Sequence, residues 1–122
     1  MQTMPQLSEI RLDRTKRLLK LAFDDGSSFE LPSEYLRVYS PSADVKGHGS
    51  SEGILQTGKE NVKILDVQPV GNYAVRLIFD DGHNTGLYTW PLLYKLGRDQ
   101  EAKWQAYLAR LKVAGHAHPS QS

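Results

Sequence analysis

The chain has 122 residues, a formal net charge of +1 and no cysteine. That length fits one compact domain able to bury a modest core, and the near-neutral balance gives no reason to expect nucleic acid, an anionic membrane or an acidic partner. The missing thiols exclude disulfides, iron–sulfur ligation, thiolate zinc sites and cysteine nucleophiles.

The N-terminal MQTMPQLSEI lacks a basic region followed by an apolar run, so no signal peptide is expected there. No apolar stretch is long enough to span a bilayer, and the cytoplasm is the expected location. Ile10 and Leu12 alternate with polar neighbours, and Asp13-Arg14-Thr15-Lys16 reads as a turn. Leu19, Leu21 and Phe23 alternate next, then Phe29 and Leu31, on either side of Asp24-Asp25-Gly26. Alternation around Asp-Gly is a hairpin signal, because those residues supply the positive φ that tight turns need. A three-stranded meander is therefore expected. Ser33 is the expected N-cap of one helical turn carrying Tyr35 and Leu36.

The stretch from Val38 to Glu60 is rich in glycine and serine and shows no periodicity. A loop that long in a compact domain is usually functional or mobile. Val62, Ile64 and Val67 then suggest a strand, Val70-Gly71-Asn72-Tyr73 a turn, and Val75, Leu77 and Phe79 a second strand. A second Phe-Asp-Asp-Gly (79–82) turns the chain into a strand running through Leu87. Thr89 can cap the helix that follows, Pro91 sits in its first turn, and Gly97 is the expected stop. A last amphipathic helix is expected from Arg98 to about Val113, with Trp104, Leu108 and Leu111 on one face and Gly115 as terminator.

The two halves align at an offset of 56, which pairs Leu21 with Leu77, Phe23 with Phe79 and Leu31 with Leu87. The expected fold is α+β: two related antiparallel three-stranded β units, each followed by a short helix, plus a C-terminal amphipathic helix. The single domain is expected to span 1–122, with a core over about 8–113 and a frayed tail over 114–122.

Few residues suggest chemistry. Gly53–Lys59 matches GxxxxGK, but Glu60 stands where a phosphate loop needs a hydroxyl, and a strand pattern follows where a helix is required. A surface turn with a solvated lysine is the better reading. The pairs Asp24/Asp25 and Asp80/Asp81 have a sufficient reason in turn conformation. Ser40, Ser42, Ser50 and Ser51 lie in no nucleophile elbow. His83 follows the second Asp-Asp-Gly where Ser27 stands in the first, so the turn does not need it. His48 lies in the irregular segment. Together they are the candidate ligands of a zinc or iron ion, but a metal site usually takes three or four protein ligands.

The segments LAFDDGSSFELPSEYLRVYSPSADVKGHG and GKENVKILDVQPVGNYAVRLIFDDGHNTGLYTWPLLYKLG resemble the small stand-alone bacterial proteins of the gamma-butyrobetaine hydroxylase-like N-terminal domain family, over about residues 8–112. Related domains precede the dioxygenase domain of carnitine-pathway hydroxylases, where they bind a structural zinc through three cysteines and a histidine and contribute to dimer contacts. Others are fused to P-loop iron–sulfur carrier proteins. Laid on this chain, the cysteine positions fall at Ser40, Ser42 and Val45, and the histidine at His83. Only the histidine matches, so the resemblance does not carry the zinc site over. It implies instead that the Ser40–Val45 stretch packs beside His83.

The preferred expectation is a non-enzymatic accessory or protein-interaction module, linked through its relatives to iron–sulfur protein maturation, with an iron–sulfur carrier as partner and a homodimer allowed. No catalytic residues and no cofactor are expected. The alternative is a zinc- or iron-binding domain using His83 with neighbouring loop residues.

Overall fold

The computed structural model describes residues 5–41, 58–84 and 86–116. Strands β1 (Leu7–Asp13), β2 (Leu18–Phe23) and β3 (Ser28–Pro32) lead into helix α1 (Ser33–Val38). Strands β4 (Ile64–Val70), β5 (Ala74–Phe79) and β6 (Leu87–Thr89) lead into α2 (Trp90–Arg98) and α3 (Gln100–Val113). Each triplet forms an antiparallel sheet in sequential order, as expected.

The alternation predicted from sequence decides which faces meet. Leu19, Leu21 and Phe23 of β2 and Val75, Leu77 and Phe79 of β5 are buried, each at 3% exposure or less. They join Leu31, Tyr35, Leu36, Tyr88, Leu93 and Leu96 in a single apolar cluster shared by both sheets. Neither three-stranded sheet has a second face to hide its apolar side, so each completes the other. Tyr107, Leu108 and Leu111 of α3 form a smaller cluster with Val38, Tyr39 and Trp104.

The repeat extends to the hydrogen bonds. Phe23 N–H donates to Ser27 O (2.8 Å) and Phe79 N–H to His83 O (3.0 Å). Asp24 accepts from the Gln6 N–H (3.1 Å), and Asp80 from the Lys63 N–H (3.0 Å). Gly26 and Gly82 adopt φ of +90° and +91°, a region closed to most side chains. Even the bulge is repeated, between Leu7 and Glu9 in β1 and between Ile64 and Asp66 in β4.

Three sequence expectations need correction. Leu31 and Leu87 are not equivalent. Leu31 pairs with Leu19, whereas Tyr88 pairs with Val75 and Leu87 with Arg76. The second half carries one extra residue between Gly82 and Tyr88, and a slip of one residue turns a strand over. Tyr88 is therefore buried, and Leu87 faces outward at 36% exposure. Next, Ser33 is not an N-cap. Pro32 holds that position, and the Ser33 hydroxyl donates to Arg17 O instead (3.1 Å). Finally, Gly97 does not stop α2, which ends at Arg98. A Cβ at Gly97 would run into the Phe29 ring, so glycine is there for close approach.

Other caps match. Thr89 accepts from the Leu92 N–H (3.3 Å). Gly115, at φ +84°, ends α3 in a Schellman motif, with His116 N–H donating to Leu111 O and Gly115 N–H to Lys112 O.

Gly97→Ala is expected to cost about 1–3 kcal/mol by overpacking against Phe29. Chemical denaturation checks this. Gly97→Ala combined with Phe29→Ala should recover part of the loss, and strict additivity would refute the contact.

Candidate functional site

The extra residue in the second half locates the site. With it counted, Gly86 occupies the place of Phe29, Ser40 that of Gly97, and Arg37 that of Tyr94. In the first half Phe29 fills its space and packs edge-to-face with Phe23 and Tyr94, at centroid distances of 5.9 and 5.7 Å. In the second half Gly86 leaves that space open, and a Cβ there would collide with Ser40 Oγ. Ser40 and His83 take the room that an aromatic ring holds at the other end.

Ser40 is fully buried, and its Oγ lies 2.8 Å from His83 Nε2. The Tyr88 hydroxyl, also fully buried, donates to Leu36 O. Which partner of the Ser40–His83 bond donates is set by the imidazole tautomer. Burial raises the Tyr88 phenol. Burial and the Arg37 charge hold His83 below its ordinary value, with Asp81 opposing them and Lys59 assisting.

Asp81 is the second centre. Its Oδ1 accepts from the His83 N–H (3.1 Å), which shapes the turn. Its Oδ2 accepts from Arg37 Nε and Lys59 Nζ, both at 2.8 Å. Burial alone would raise its carboxyl, but the bonds from Lys59, His83 and Arg37 and the Arg37 charge bring it down to about 2. The first half uses the same device: Asp25 Oδ1 accepts from Ser27 N–H (2.9 Å) and Oδ2 from the Tyr94 hydroxyl (2.8 Å). Each turn therefore grips the helix of the opposite half.

The sequence candidates separate clearly. His83, Ser40 and Asp81 come together. Lys59 is not the solvated lysine expected, because it is paired with Asp81 and only 20% of its side chain is exposed. Gly58 and Lys59 lead toward β4 with no helix between, so the phosphate-loop context is absent there. His48, Ser42 and Val45 lie outside the described residues. Ser40 does pack beside His83, as the resemblance implies. Sequence reasoning missed Arg37 and Gly86. Their signal is the equivalence with Tyr94 and Phe29, hidden until the extra residue is counted.

Among the described residues no three His, Cys, Asp or Glu side chains stand together as a metal site. A zinc ion does not fit the donors described: the Ser40 hydroxyl is a weak ligand, and among the described residues no group of three His, Cys, Asp or Glu side chains includes His83. The hydrogen bond that Asp81 Oδ1 accepts from His83 is from its backbone N–H. Among the described residues no helix is long and apolar enough to cross a membrane.

The family model of the gamma-butyrobetaine hydroxylase-like N-terminal domain matches residues 10–94, and the chain belongs to this family. It is similar to a protein solved by NMR at 49% identity, covering 97% of this chain and 90% of that one, with a TM-score of 0.80. A second NMR structure is 45% identical over 94% of this chain and 90% of the other, with a TM-score of 0.81. A crystal structure of a protein of unknown function from Acidithiobacillus ferrooxidans, assigned to the DUF971 family, is 41% identical. It covers 75% of this chain and 92% of its own, with a TM-score of 0.64. No curated protein matches the chain.

Asp81→Asn is expected to destabilise the protein by about 1–2 kcal/mol at neutral pH, a figure discounted for partial solvation. Because the folded carboxyl sits at about 2, below the ordinary aspartate value of 3.8, its stabilisation is full above pH 4 and fades as pH falls toward 2. Urea denaturation of both proteins between pH 2 and 7 checks this. A wild-type advantage that does not shrink on acidification would contradict the assignment.

Proposed function

We propose that the chain is a non-enzymatic accessory module that binds a partner protein in the cytoplasm. The observation that carries this reading is how its convergent polar groups are used. Ser40, His83, Asp81, Arg37 and Lys59 form bonds that tie the second turn to α1 and to the start of the second half. A nucleophile needs access to substrate, and Ser40 is fully buried. Such groups fix the shape of a surface rather than turn over a substrate.

The link to iron–sulfur protein maturation rests on fusions of related domains to P-loop iron–sulfur carriers, an argument by association. On that reading the partner is an iron–sulfur carrier protein.

Two measurements test the proposal. Affinity capture from native cytoplasm with the untruncated chain is expected to enrich an iron–sulfur carrier, and recovery of none would count against the link. Elemental analysis of untagged protein is expected to find less than about a tenth of an equivalent of zinc or iron, since the described donors do not make a four-ligand site. Stoichiometric metal would favour the metal-binding alternative at His83.

A further inference from the structure

The outer faces of the two sheets are built on the same register but carry different chemistry. In the first sheet Lys20 lies between Arg11 and Glu30 across the strands, and in the second Arg76 lies between Gln68 and Leu87. Lys20 has acidic company: its Nζ is 3.7 Å from Asp13 and 3.9 Å from Glu30. Val70 holds the place of Asp13 in the second sheet, and Leu87 that of Glu30. Both acids have been exchanged for apolar side chains while the central cation has been kept.

Arg76 is exposed and makes no ion pair or hydrogen bond among the described residues. On one side of it lie Gln68 and Asp66, whose carboxylate accepts from Gln68 Nε2 (3.3 Å) and the Val67 N–H (2.9 Å), and on the other side the face is apolar where the first sheet is polar. Ile78 stands in the place of Ala22, and Leu65, 51% exposed, in the place of Ser8 at the bulge. Leu87 adds a side chain 36% exposed. Packing does not require this, because the first sheet presents a charged outer face on the same backbone.

We infer that the outer face of the second sheet, centred on Arg76 with Ile78, Leu87 and Leu65, is a docking surface for a protein segment presenting a carboxylate between apolar side chains. The inference rests on the interaction-module reading and deepens it. Charge complementarity selects the occupant: a guanidinium set beside apolar groups is matched by a planar carboxylate, and the apolar side keeps water from the pair. A second copy of this chain fits poorly, since the outward acids of its first sheet, Glu9 and Glu30, already face Arg11 and Lys20. The net charge of +1 conceals this local imbalance.

The test is a titration of the isotope-labelled full chain, followed by NMR, with three blocked tripeptides: Leu-Glu-Leu, Leu-Gln-Leu and Leu-Lys-Leu. Leu-Glu-Leu is expected to cause saturable shifts at Arg76, Ile78 and Leu87, with roughly tenfold weaker binding of Leu-Gln-Leu, about 1.4 kcal/mol. Arg76→Glu should reverse the preference toward Leu-Lys-Leu and leave unfolding unchanged. Equal response to all three peptides, or no response at these residues, overturns the inference. So do concentration-dependent shifts of the same residues without peptide, which would mean self-association. Capture of an iron–sulfur carrier that survives Arg76→Glu would sink this surface alone, whereas no capture by the wild type would sink the functional reading alone.

Discussion

The second aspartate of each Phe-Asp-Asp-Gly turn has two oxygens, and the fold depends on both. One oxygen accepts a backbone N–H two residues on and fixes the turn. The other reaches the helix of the opposite half, from Asp25 to Tyr94 and from Asp81 to Arg37. Neither three-stranded sheet can bury its apolar face alone. The exchange of grips across the shared core is what aligns the two halves while Leu21, Phe23, Leu77 and Phe79 pack between them.

The grips have diverged in chemistry. Around Asp25 the contact is a neutral phenol beside two phenylalanine rings. Around Asp81 it is a guanidinium and an ammonium, with His83 and Ser40 filling what an aromatic ring fills elsewhere. The first half shows what packing requires. Departures from it around the second turn and sheet — His83 and Gly86 with Ser40 and Arg37 of the first half packed against them, and Leu87 on the sheet — are residues the fold did not demand.

The architecture was legible in the sequence because alternating apolar residues and Asp-Gly turns are local signals. Both meanders, the Thr89 cap and the Gly115 terminator follow from neighbouring residues alone. The failures came from distance. Gly97 looks like a helix stop until Phe29, far away in sequence, is found against it. Ser33 looks like a cap until the Arg17 carbonyl is found beside its hydroxyl. The single extra residue after Gly82 is the most costly omission, because β-strand parity turns it into an exchange of faces at Leu87 and Tyr88. His83 could be marked as unneeded by the turn, but its partner Ser40 became visible only through family resemblance and then the packing.

The most direct measurement is a double-mutant cycle between Asp81 and Arg37, using Asp81→Asn and Arg37→Met in urea unfolding at neutral pH. If the turn of one half grips the helix of the other, the coupling energy should fall at about 1–3 kcal/mol, and it should diminish below pH 4. A coupling energy near zero would contradict the reciprocal grip and leave the two halves joined by apolar packing alone.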